Sequence, residues 1–155
     1  MKQLSIQKFK LVLEFEEGYT ATQRVHNKSS ALAAFEDLFK LSKQSEEVLC
    51  MLCLNAKIEI IGAFEVARGG ISSAIFSPKE ILKRALSCNA SAIIMAHNHP
   101  SGHNDPSGSD IKATRDLNIV CKALELDFCD HFIIPCKPNL REEDVVSLRS
   151  IGALR

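Results

Sequence analysis

His97 and His99 stand one residue apart in Ala96-His97-Asn98-His99-Pro100-Ser101-Gly102, directly after the apolar run Ala92-Ile93-Ile94-Met95. An Ile-rich run too short for a helix reads as a buried strand, and the Pro, Gly, Asn and Ser that follow break it into a loop. Side chains alternate faces in extended backbone, so His97 and His99 point the same way and can present two imidazoles to one ion, while Asn98 points elsewhere. Asp110 offers a third donor, because ten loop residues rich in Gly, Pro and Ser separate it from His99, enough to fold back. It also falls at a helix start, where a carboxylate is commonly placed: Ile111, Leu117, Val120, Cys121, Leu124 and Leu126 follow it at roughly helical spacing. Two imidazoles and one carboxylate leave a fourth zinc position for water, the arrangement of catalytic rather than structural zinc, and its chemistry is hydrolysis. Each piece also has a plainer reading, since His-x-His after a strand can be two polar loop residues and an Asp opening a helix can be only a cap.

Several elements must position these residues. Val48 to Leu54 is apolar on both faces, which predicts a central strand, turned by Asn55-Ala56-Lys57 into a second strand from about Ile58 to Val66. Glu47 then sits at the first strand's mouth, although beside Glu46 it also reads as a solvated helix end. Ser77-Pro78-Lys79-Glu80 combines an N-cap serine, a proline at the first helical position and a glutamate in the capping-box place, predicting a helix over about 78 to 88. That helix leads through Asn89 into the His97 strand as a β-α-β step. Phe128 to Pro135 reads as another strand containing Asp130 and His131, and Val145 to Leu148 as a last one. Upstream, Phe9 to Glu16 alternates apolar and polar residues as a strand does, Gly18 to Ser30 reads as a loop, and Ser30 is placed to cap a helix with the stripe Leu32, Phe35, Phe39 and either Leu38 or Leu41. Arg68-Gly69-Gly70-Ile71-Ser72-Ser73 reads as a turn or as a loop that lets a substrate backbone approach.

The joint pattern is His97-Asn98-His99-Pro100-Ser101-Gly102, Pro106-Ser107 through Asp110, Thr114, and Asp130-His131-Phe132-Ile133-Ile134, with Glu47 opening the earlier strand Val48 to Leu54 and Ser77-Pro78-Lys79-Glu80-Ile81 between. It resembles the JAMM metalloprotease motif of JAB/MPN domains and, more closely, the RadC-like JAB domain of bacteria. The resemblance runs from about residue 30 to the C-terminus. It implies a three-layer α/β domain, a mixed β-sheet flanked by helices in the JAB/MPN, cytidine-deaminase-like architecture, over 30–155, with the strand and loop of 1–29 part of the same domain. It further implies a mononuclear Zn2+ site with His97, His99 and Asp110 as ligands, and a zinc-activated water with a pKa near ~7. Glu47 is then the general base, Ser107 the hydrogen-bond donor to the water or the developing oxyanion, and the substrate a peptide or isopeptide. The resemblance also marks Asp130 and His131 without giving them a role; a His beside an Asp on a strand reads first as a satisfied buried pair, and His131 at most as support behind the ligands.

Composition narrows the alternatives. A chain of 155 residues with 46% hydrophobic content is the size of one domain able to bury a core. Nineteen basic and nineteen acidic residues give a formal net charge of zero, so no global positive field holds nucleic acid. Full-length RadC proteins carry a longer N-terminal region of helix-hairpin-helix character that is not found here, which turns the expectation away from direct DNA contact and leaves a repair-associated accessory role through a partner as the alternative. A zinc nucleobase deaminase would show His-x-Glu and Pro-Cys-x-x-Cys, and neither is present. No apolar run approaches bilayer length and the first residues lack a signal-peptide core, so no membrane and a cytoplasmic location are expected. The six cysteines then read as reduced thiols, and Cys50 and Cys53, three apart in a strand, face opposite sides and cannot chelate one ion.

Overall fold

The computed structural model describes residues 24–69 and 77–155. The strand expected over Phe9 to Glu16 and residues 70–73 of the glycine loop lie outside the described residues. Five strands form one mixed sheet: β1 (Val48–Leu54), β2 (Ile60–Arg68), β3 (Ala92–His99), β4 (Asp127–Pro135) and β5 (Val146–Ser147), in the order β2-β1-β3-β4-β5. β1 is buried at every position, as a run apolar on both faces requires. It pairs antiparallel with both β2 and β3, and β3 pairs parallel with β4. Among the described residues three α-helices accompany the sheet: α1 (Lys28–Phe39), α2 (Pro78–Ser87) and α3 (Gly108–Ala123).

The pleat sorts the core into two clusters. Cys50, Leu52, Leu54, Ile94 and Ala96 pack with Ala31, Ala34 and Phe35 of α1. Leu49, Met51, Cys53, Ile93 and Met95 pack with Ile81 and Ala85 of α2 and with Leu117 and Cys121 of α3. The result is helix, sheet and helices in three layers, an α/β fold in which each fully buried Leu, Ile or Met contributes about 1.5–3 kcal/mol by leaving water. Cys50 and Cys53 fall into different clusters, all six cysteines are free thiols, and burial pushes the Cys50 thiol up to about 12.

Two boundaries and one set of capping bonds differ from expectation, each for a local reason. Asn27 rather than Ser30 caps α1: Asn27 Oδ1 accepts from the Ser30 N–H at 2.9 Å, and Ser30 Oγ accepts from the Asn27 N–H at 3.1 Å, so the serine occupies the third helical position of a capping box. β2 begins at Ile60, because Asn55 Oδ1 accepts from the N–H groups of Lys57 and Glu59 and Ile58 takes a left-handed φ of 58°, extending the turn. Ser77 and Pro78 do open α2, but the Ser77 side chain makes no capping bond, and Glu80 turns its carboxylate to Lys83 and Arg84, each at 2.8 Å. Among the described residues no helix is long and apolar enough to cross a membrane.

Candidate metal centre

His97 and His99 occupy the last alternate positions of β3, on the face of Ile93 and Met95, and their Nε2 atoms lie 3.0 Å apart. Two carboxylates approach the same nitrogens. Asp110 places Oδ1 3.6 Å from His97 Nε2 and Oδ2 3.9 Å from His99 Nε2, and Glu47 Oε1 is 3.8 Å from His97 Nε2. Ligand atoms of Glu47, His97 and His99 all fall within 4.8 Å of one another. Among the described residues Glu47 completes that set with a single oxygen, whereas Asp110 reaches His97 with Oδ1 and His99 with Oδ2. Zinc at about 2.0–2.1 Å from tetrahedral nitrogen ligands keeps those nitrogens roughly 3.3 Å apart, close to the spacing present.

Tautomers bear on the fit. The Nδ1 of His99 lies 3.0 Å from the carbonyl oxygen of His103. A carbonyl can only accept, so Nδ1–H donates and Nε2 of the neutral ring keeps its lone pair for a metal. The loop that supplies this carbonyl is closed by the Gly102 N–H donating to the His99 carbonyl at 3.0 Å, with Gly102 at a φ of 80°. His97 turns its Nδ1 the other way, 2.8 Å from Nε2 of His131, whose Nδ1 is 2.8 Å from Thr114 Oγ1. Nitrogen and oxygen donors in this combination suit zinc.

The two carboxylates are held by different devices. Asp110 is the third residue of α3, not its cap: Ser107 caps the helix, its Oγ accepting from the Asp110 N–H at 3.0 Å while Asp110 Oδ2 accepts from the Ser107 N–H at 2.7 Å. This box fixes the carboxylate and leaves Oδ1 toward His97, with the positive end of the helix beside it. Ser107 Oγ is thus occupied as an acceptor and keeps its O–H to donate. Glu47 is placed by Asn98, which is fully buried on the opposite side of β3. Asn98 Oδ1 accepts from the Val48 N–H at 2.7 Å and Nδ2 donates to the Glu46 carbonyl at 2.9 Å, so one amide grips the backbone on both sides of Glu47. Glu46 points away, 3.8 Å from Arg68 and exposed.

Burial, with the negative Asp110 adding to it, pushes the Glu47 carboxyl up to about 7, where a carboxylate can exchange protons near neutrality. Burial likewise holds His97 and His131 well below the ordinary imidazole value, so both are neutral. Asn98 was expected only to point elsewhere. Its amide, flanked by two histidines at a strand end, was the one signal of a buried polar role, and its partners Val48 and Glu46 lie 50 and 52 residues away in the chain.

A family model described as RadC-like JAB domain matches residues 25–152. Curated relatives named UPF0758 protein are similar: that of Thiobacillus denitrificans is 42% identical over 68% of this chain and 48% of its own length. That of Actinobacillus succinogenes is 38% identical over 68% of this chain and 49% of its own length. The chain spans about half the length of the curated relatives it matches. Their names state no activity.

Proposed function

We propose that this chain, which belongs to the RadC-like JAB domain family, is a zinc-dependent hydrolase that cleaves amide or isopeptide bonds. The observation that carries the reading is the convergence of two imidazole nitrogens 3.0 Å apart with two carboxylates of different character. His97, His99 and Asp110 would hold the metal, since Asp110 is buried and locked by its helix cap. When bound, zinc polarises a water and lowers its pKa toward ~7. Glu47, raised to about 7 and more open to solvent than Asp110, takes that water's proton and returns it to the leaving amine nitrogen. The Ser107 O–H donates to the oxygen on which negative charge develops, worth roughly 3 kcal/mol if it behaves as other oxyanion donors do.

The test is a screen of peptide and isopeptide libraries with zinc-loaded protein. Cleavage that disappears with a chelator and returns on adding zinc supports the reading. Cleavage unaffected by the chelator, or none across both library classes with zinc bound, contradicts it.

A further inference from the structure

Behind His97 lies a row of polar groups sealed from solvent. His97 is 2% exposed and both His131 and Thr114 are 0% exposed. His131 reaches His97 because β3 and β4 pair in parallel with Met95 opposite His131. Thr114 follows Asp110 by one helical turn on the same side of α3, so the helix that presents one candidate ligand also supplies the partner of His131.

We propose that His131 and Thr114 are positioning residues for the metal: the chain His97 Nδ1 to His131 Nε2 to Thr114 Oγ1 accepts the Nδ1 proton of His97 and so supports the tautomer in which His97 Nε2 ligates. The inference rests on the metal-binding reading above. A neutral imidazole has one donor and one acceptor nitrogen. If His97 gives its Nε2 lone pair to an ion, its Nδ1–H donates to His131 Nε2, and His131 must then carry its own proton on Nδ1 and donate it to Thr114 Oγ1. The opposite polarity, with the threonine hydroxyl donating first, ends with a proton on His97 Nε2, where it blocks ligation and faces His99 instead. Either polarity fits the two 2.8 Å contacts and the 3.0 Å spacing of the two Nε2 atoms without an ion, and a bound cation admits only the one that leaves His97 Nε2 unprotonated.

The experiment is a zinc titration against a chromophoric chelator, paired with nitrogen-15 imidazole NMR of the zinc-loaded protein. Groups that orient a ligating histidine are typically worth on the order of 10- to 100-fold in metal affinity. Thr114→Val, nearly isosteric, should weaken zinc binding toward that range, Thr114→Ser should restore it, and His131→Leu should weaken it at least as much as Thr114→Val. In the zinc-loaded wild-type protein His97 and His131 should both be protonated on Nδ1. Zinc affinity unchanged in Thr114→Val, or His131 protonated on Nε2 with zinc bound, overturns this inference alone. Wild-type protein that binds no zinc overturns it together with the proposed function.

Discussion

Ala92 to Ala96 and His97 to His99 are consecutive parts of β3, yet they use the same pleat for different ends. In the first part alternation only divides two hydrophobic clusters, and either face buries carbon against helices. In the second part it divides roles: His97 and His99 meet the carboxylates on the α3 side, while Asn98 holds the start of β1 from the α1 side. A strand end is suited to this because neighbouring residues, 3.3 Å apart along the chain, can serve separate environments without sharing atoms. Substitutions at adjacent positions should therefore break different properties.

The largest effect is expected at Glu47. Glu47→Gln keeps shape and zinc but removes the proton acceptor, so amide hydrolysis should fall on the order of 10²- to 10⁴-fold, whereas Glu46→Gln should change little because Glu46 faces Arg68. Loss of zinc in Glu47→Gln would make Glu47 a ligand instead, and wild-type turnover in that variant would remove it from the chemistry.

The two faces of the strand end can be separated by comparing Asn98→Ala with His99→Ala. Asn98→Ala leaves the Val48 N–H and Glu46 carbonyl unpaired, about 1–3 kcal/mol for each group that stays buried, so its melting temperature should drop while zinc is retained. His99→Ala should do the reverse, losing zinc with little change in the melting of metal-free protein. Equal loss of both properties in both variants would show that the faces are not independent.

A smaller effect concerns acid. In the metal-free protein His97 and His131 are held below their ordinary 6.5. The unfolded chain therefore binds more protons below about pH 6.5, and stability falls as the pH drops through that range. Glu47 works against this loss: its carboxyl is raised from 4.5 to about 7, so the folded state binds the extra proton between those values and acidification relieves part of the strain. Denaturant melts from pH 7 to 4.5 should show a decline that becomes steeper in Glu47→Gln, and a shallower decline in that variant would reverse the assignment.

Much of this was legible from residue order because the signals are local. The unbroken apolar runs of β1 and β3, the Ser-Pro start of α2 and the alternate histidines each depend on a few adjacent residues. The caps of α1 and α3 were harder, since Asn27 and Ser30 are both good caps, as are Ser107 and Asp110, and only the backbone decides which member of each pair lies outside the helix. Least legible were the roles of Asn98 and His131. The first depends on β1 pairing with β3 across 50 residues and the second on parallel pairing with β4, and neither register is written in the local spacing.

The central claim is that the odd-numbered end of β3 and the start of α3 together bind a metal. Elemental analysis of purified protein tests it most directly. Wild-type protein should carry about one zinc per chain, as a mononuclear site of two imidazoles and a carboxylate would, and His97→Ala and Asp110→Ala should each lose it. Zinc undiminished in both variants would contradict the assignment.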